Sequence, residues 1–462
     1  MSIKTLQNSQ HSELRTRAII STILLIMANV MYAQNVLSPS AYGWKEAKNG
    51  IERYKVLYRL QADAVKTGAT VDYSEIDTAN IELGYGCPLI PLADYNDFKG
   101  MVINVTNTAQ YDYIFRHEAK TYSVNVSKEK IDNGDFSDIE ALRNGDCLLS
   151  ITDQNVWGVR NGYSDHVIRK DLIYIRHGKA ITQTILPYNN EWSSPECSYI
   201  PVAKDPLEIK NLTVNRTKGD AFKTCIFDIK GVYDVRIFNV TINTPDAGDF
   251  YGDQAIRITD CMDVLMEDVT INGSYSQKMQ WGYGIYLGNV ANFTARRLYG
   301  HAAWGIFGNV NVNTALLEDC DINRWDIHHY GKDITLRNCT VSNVYNQYSS
   351  VYGTVTYDGC TFNNCIPHLI DHSYNAYTKY VVQFINCTIN TESIYSRLFL
   401  FNRNDKLTNT RHELEKKYWP DVKIKNMRVN IKGKNAITLF IKRRAYYNDN
   451  KIDASLYDML LQ

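Results

Sequence analysis

The stretch Asn323-Arg324-Trp325-Asp326-Ile327-His328-His329-Tyr330 holds the densest chemistry in the chain. A carboxyl and an imidazole two residues apart on a strand share a face, because side chains alternate. Asp326 can then serve as a general acid or base, and His328 can abstract or shuttle a proton. Arg324, with Arg257 upstream, can hold a carboxylate in bidentate fashion. The bland alternative is a polar ladder that closes a protein face. The concentration of Arg, Trp, Asp, His and Tyr favours function. His328 and His329 offer two imidazoles, but neighbours on a strand point opposite ways, so no metal site is expected. No nucleotide-binding glycine loop, zinc-helix motif or nucleophile elbow stands out, and no cofactor is expected.

Such a stretch needs a scaffold, and a repeat supplies one. Nine segments share the template apolar-x-apolar-x-turn-apolar-x-apolar. They begin at residues 207, 235, 264, 293, 315, 334, 355, 382 and 422. LEIKNLTV, VRIFNVTI and ITLRNCTV are typical, and FTARRLYG (293–300) is the weakest. Alternation with period two makes a strand with one inward face. The fifth position breaks it with Asn211, Asn239, Asp268, Arg297, Asp319, Asn338, Gly359, Asn386 and Asn426. Asn, Asp and Gly tolerate left-handed backbone angles, so each can turn the chain sharply into a second short strand. The steps run from 19 residues (315 to 334) to 40 (382 to 422), as a coil of about 20 residues with loops of varying length requires. The two-residue turn signals of antiparallel hairpins are missing.

Between template segments, a third strand per coil is expected at QAIRI (254–258), YGIYL (283–287), WGIFG (304–308), WDIHH (325–329) and HLIDH (368–372). With Ile256, Ile258, Ile285, Leu287, Ile306, Ile327 and Ile370 turned inward, their neighbours face out. One outward column is Ala255, Gly284, Gly305, Asp326 and Leu369. The next is Arg257, Tyr286, Phe307, His328 and Asp371. His301, Trp304, Trp325, Tyr330, His372 and Tyr374 flank it, with Asp253 at its edge. A solvated strand face ordinarily carries Thr, Lys and Glu. This one carries groups that can bind and transfer protons.

These Asn-punctuated coils resemble right-handed parallel β-helix proteins of the pectate-lyase-like superfamily. The resemblance covers at least residues 207–429 and extends toward residue 69. It implies an all-β solenoid with a short helical cap, and a carbohydrate cleft on the outward strand face. It leaves the activity open among hydrolases, lyases, esterases, phage tailspikes and adhesins. A glycoside hydrolase needs two carboxyl groups across the scissile bond, and Asp253 with Asp326, or Asp326 with Asp371, would serve. A lyase on a uronate glycan would use Arg257 or Arg324 with His328 or Tyr286. Arg257, Tyr286, His301, Trp304, Phe307, Arg324, Trp325, Tyr330, His372 and Tyr374 would contact the sugar chain. A non-catalytic carbohydrate-binding or structural protein is the third possibility. The paired Asp-Asp and Gly-His-Gly of pectin hydrolases are absent, and so is an acid trio for calcium. On balance a hydrolase leads.

The rest of the chain fits an exported solenoid. Of its 462 residues, 44% are hydrophobic and 22% charged, enough to build a core. Fifty basic residues balance fifty acidic ones, so no global field draws nucleic acid, and no nucleic-acid partner is expected. Lys4, Arg15 and Arg17 precede the apolar run Ala18 to Met31, and Ala33 offers a cleavage point. Residues 1–33 are therefore expected to be a secretory signal, which makes the mature chain secreted or periplasmic, with no lasting membrane insertion. Residues 34–82 read as a helix-plus-strand cap, with Gly68 ending the helix. Residues 83–206 read as early coils with inserted loops, and 430–462 as a C-terminal cap. Ten cysteines in an exported chain suggest disulfides, but Cys320, Cys339, Cys360 and Cys387 recur at the sixth template position. There they are expected to form a buried column of free thiols. Oligomers, including trimers, are compatible with the pattern.

Overall fold

A computed structural model describes residues 36–84, 87–107, 113–159, 166–188, 194–216, 225–244, 254–273, 282–301, 305–342, 347–348, 351–364, 368–371, 379–391, 400–402 and 421–431. The expected signal (1–33) and C-terminal cap (430–462, but for its first two residues) lie outside the described residues. The chain is a right-handed parallel β-helix whose strands form one 23-stranded parallel sheet coiled on itself. Template segments stack in register: Ile209 pairs with Ile237, Ile237 with Met266, and so on along the solenoid.

The bends obey the backbone chemistry of their residues. Every fifth-position residue has positive φ, from 49° at Arg297 to 66° at Gly359. Arg297 has no conformational preference for this region. Its guanidinium bonds Asp268 (Nε to Oδ1, 2.7 Å) and Glu267 on the preceding coil, and both anchor it. Two more left-handed columns complete each coil. One is Gly231, Asp260, Asn289, Asn311 and Tyr330; the other is Asp234, Asp263, Asn292, Thr314, Asp333 and Gly353. Stacked amides tie coils together, as in the run Asn80, Asn104, Asn215, Asn243 and Asn272, linked at 2.8–2.9 Å.

The core is the inward half of each strand. Cys320, Cys339, Cys360 and Cys387 are at most 2% exposed, and each Sγ donates to backbone carbonyls. The nine described cysteines are all free. At the N-terminal end, helix α1 (Gly50–Thr67) covers the first coil with Tyr54, Leu57, Leu60 and Ala64. Asn49 caps it by accepting from Glu52 N, and Gly68 (φ 67°) ends it.

The solenoid is interrupted after its second coil by a folded unit. Strands Tyr122–Val124, Asp146–Val159, His166–Arg176, Lys179–Ala180 and Pro195–Pro201 form an antiparallel five-stranded sheet with its own core. Of the residues expected as early coils with inserted loops (83–206), Ile90–Pro91, Tyr95–Asn107 and Tyr113–Glu118 join the parallel sheet, and hydrogen bonding builds a separate sheet from residue 122 onward. Its outer face, through Leu148, Leu172, Tyr174 and Ile200, sits on Met262 and Ala291 of the solenoid. Chain re-entry at Leu207 restores the coil.

Candidate functional site

Six parallel neighbours form one strand face, and the last four carry the strands on which chemistry was expected. They are β1 (Tyr113–Glu118), β2 (Cys225–Lys230), β3 (Ile256–Asn272), β4 (Tyr283–Arg296), β5 (Gly305–Glu318) and β6 (Trp325–Arg337). Register sets two columns at their starts. The inward one is Phe115, Phe227, Ile256, Ile285, Phe307 and Trp325. All six are at most 1% exposed, and their rings interlock, with Phe115–Phe227 at 5.5 Å and Phe307–Trp325 at 4.8 Å. The outward column is Arg116, Asp228, Arg257, Tyr286, Gly308 and Asp326.

This register corrects two expected sugar contacts. Phe307 and Trp325 are core residues. Phe307, rather than Ile306, is the partner of Ile285. Ile306 is buried as well, because it fills space left by two glycines. A Cβ at Gly284 or Gly300 would lie 2.4 or 2.3 Å from it. Two consecutive buried residues break the alternation on which the expectation rested.

A second irregularity sets His328. Asn309 pairs with Ile327, but Val310 pairs with His329, so His328 is the extra residue of a β-bulge. Its Nε2 and the Tyr283 hydroxyl share a hydrogen bond of 2.9 Å, and it lies 3.8 Å from Asp326 Oδ2. Asp326 is ion-paired with Arg324. Both are closed to solvent, with side chains 0% and 2% exposed, while His328 keeps 18%. Arg324, Asp326 and His328 therefore lie together. Arg324 is corrected as a sugar-gripping group, because its guanidinium is sealed beneath the face. Tyr330 is corrected too: it is fully buried at a left-handed bend, stacked on Tyr352 at 6.4 Å. Burial raises its hydroxyl pKa well above the ordinary value. His301 remains partly exposed, 2.8 Å from Asp321. Asp253, Trp304, His372 and Tyr374 lie outside the described residues, as does the side chain of Asp371.

The other end of the outward column holds a cluster that no sequence motif marks. Asp228 lies between two arginines, 3.3 Å from Arg116 Nε and 3.9 Å from Arg257 Nε. Arg116 also reaches Glu118, Nη2 to Oε2 at 2.7 Å, so one guanidinium bridges two carboxylates. Lys230 Nζ donates to Glu118 at 3.0 Å. Arg257 donates to the Tyr113 hydroxyl and stands over two rings, 5.9 Å from Tyr113 and 5.7 Å from Tyr286. Asp228 is 6% exposed and Glu118 41%. Burial pushes the Asp228 carboxyl above its ordinary pKa, against the pull of Arg257 and Arg116. The Lys230 hydrogen bond holds Glu118 below its own, with Arg116 adding to it.

The signal for this cluster was present in YIFRHE (113–118) and CIFDIK (225–230), both alternating strands. What hid it is the intervening sheet, which puts Arg116 and Asp228 more than a hundred residues apart in sequence and adjacent in space.

No family model matches the sequence, and no curated protein matches it. Solved structures align with the chain at low identity. The tailspike protein gp49 from Pseudomonas phage LKA1 is 13% identical, over 86% of this chain and 78% of that one, with TM-score 0.44. PfbA, a surface adhesin of Streptococcus pneumoniae, is 10% identical over 86% and 85%, with TM-score 0.43. The gp54 tailspike of Acinetobacter baumannii bacteriophage AP22, solved with capsular saccharide, is 12% identical over 87% and 74%, with TM-score 0.35.

Proposed function

We propose that this chain is an exported polysaccharide-cleaving enzyme, a glycoside hydrolase with Asp228 as general acid and Glu118 as general base or nucleophile. One observation carries the reading: two carboxylates contact a single guanidinium, and burial shifts the pKa of Asp228 up while the Lys230 hydrogen bond shifts that of Glu118 down. Pairs whose surroundings push their pKa values apart are how one site supplies acid and base together. Asp228 and Glu118 are diagonal neighbours, because Glu118 pairs with Lys230, two residues beyond Asp228. Both carboxylates contact the one Arg116 guanidinium, at 3.3 and 2.7 Å, which keeps them within the roughly 10 Å that glycosidases allow.

In the step, Asp228 gives its proton to the glycosidic oxygen as the bond from that oxygen to the anomeric carbon breaks. Glu118 takes a proton from the attacking water, or attacks the anomeric carbon itself and is released by water. Arg257, held between Tyr113 and Tyr286, lies beside the acid and would anchor the sugar.

The test is degradation of a panel of neutral and acidic polysaccharides, followed by reducing ends and by absorbance of unsaturated uronates. New reducing ends without unsaturation, lost in Asp228→Asn, are expected. The Tyr283–His328 hydrogen bond favours a second reading, β-elimination from a uronate chain. Unsaturated products, lost in His328→Ala and kept in Asp228→Asn, would replace the first. Binding without any cleavage would make the chain a carbohydrate-binding protein.

A further inference from the structure

The ring of Tyr283 lies on a floor of glycine. A Cβ on Gly308 would meet its Cγ, Cδ1 and Cδ2 at 2.6–2.7 Å, nearly equal distances, so the ring lies flat across that position. A Cβ on Gly305 would meet it at 3.1 and 3.3 Å. Gly308 belongs to the outward column, between Tyr286 and Asp326, so the ring covers the backbone from the solvent side. Its hydroxyl is held by His328 Nε2, and the His328 ring meets it edge-on at 5.4 Å. The sealed Arg324–Asp326 pair lies beneath the imidazole. An aromatic ring has thus been laid flat, backed by peptide and pinned at its polar tip. Flat storage of a Tyr in a core needs none of these devices.

We propose that Tyr283 is a sugar-stacking platform, a distal subsite for one ring of the glycan chain. The electron-rich ring face suits the C–H face of a pyranose, and the fixed orientation removes the entropic cost of ordering it on binding. Three strand steps separate Asp228 from Gly308, from Arg257 to Tyr286 and on. At ~4.8 Å each they place the platform ~14 Å from the acid, more than one sugar unit away. The proposal rests on the reading of this face as a polysaccharide site. It adds that the site is extended and favours long chains.

The experiment measures binding in the Asp228→Asn background, where turnover does not interfere. An array of neutral and acidic oligosaccharides from two to eight units is the probe. Tyr283→Ala is expected to weaken octamer binding by about threefold to tenfold and to leave disaccharides unchanged. Tyr283→Phe, which keeps the ring, is expected to restore most of it. Gly308→Ala lifts the ring from its floor without removing it and is expected to repeat the length-dependent loss. Binding that is equal in Tyr283→Ala and its parent at every length overturns the platform. So does an equal loss at all lengths, or no binding to any glycan. If the wild-type chain cleaves nothing yet shows the length-dependent loss, the platform stands and the hydrolase reading falls.

Discussion

The two ends of the outward column carry the same pair of residue types and put them to opposite uses. Around Asp228, itself only 6% exposed, the two arginine side chains are 35% and 39% exposed and reach water. Around Asp326, Arg324 and the carboxylate are closed off together. An Arg–Asp pair in water can exchange partners, so a substrate can enter. A sealed pair has no such freedom, because separating it would strand a charge in a medium that solvates it poorly. Both carboxylates are buried; exposure of their arginine partners, rather than residue type, separates the two ends.

The largest expected effect breaks the comparison outright. Asp228→Asn and Glu118→Gln should each lower turnover by about 10²–10⁴-fold while the fold, followed by circular dichroism, is kept. Asp326→Asn should leave turnover within an order of magnitude of the parent. If Asp326→Asn abolishes turnover while Asp228→Asn spares it, the roles are reversed.

Stability should separate the two ends next. Asp326→Ala leaves Arg324 buried without its carboxylate and should cost about 3–5 kcal/mol in denaturant unfolding. Asp228→Ala should cost clearly less, since Arg116 keeps Glu118 and both arginines reach water. Equal losses would show that the Asp228 cluster is also structural.

The pH profile sharpens the assignment within the Asp228 end. The acid must be protonated, so turnover falls as pH rises through the raised pKa of Asp228. The base must be ionised, so turnover falls as pH drops through the lowered pKa of Glu118. The bell should therefore span the ordinary carboxylate range, wider than two unperturbed groups would allow. The smallest effect is a shift of one limb. Lys230→Met removes the leading cause of the depressed Glu118 pKa, so the acid limb should move to higher pH while the alkaline limb stays. Movement of the alkaline limb alone would interchange the two roles.

Much of this was legible in the chain. The nine fifth-position residues all take the left-handed backbone; a local steric rule favours it at the eight Asn, Asp and Gly positions, while Arg297 is held there by Asp268 and Glu267 of the preceding coil. The cysteine column followed from the same template. The helix stop at Gly68 is local as well. Legibility failed where local rules gave way to space. Ile306 and Phe307 both bury because glycines on neighbouring strands left room, which alternation along one strand does not report. His328 projects from a bulge created by a mismatch between two coils.

The sequence by itself determined the coil. Alternating apolar residues and bend-forming Asn, Asp and Gly act within a few residues, and repetition converts them into a solenoid. Tertiary structure alone decided which polar residues meet. Arg116 and Glu118 reach Asp228 only because a sheet of some eighty residues folds outside the coil and returns the chain to the next one. Asp326 looks like the better acid in the sequence. It becomes a sealed counter-ion because Arg324 is closed off with it, whereas the arginines beside Asp228 reach water, and only the whole assembly sets that difference.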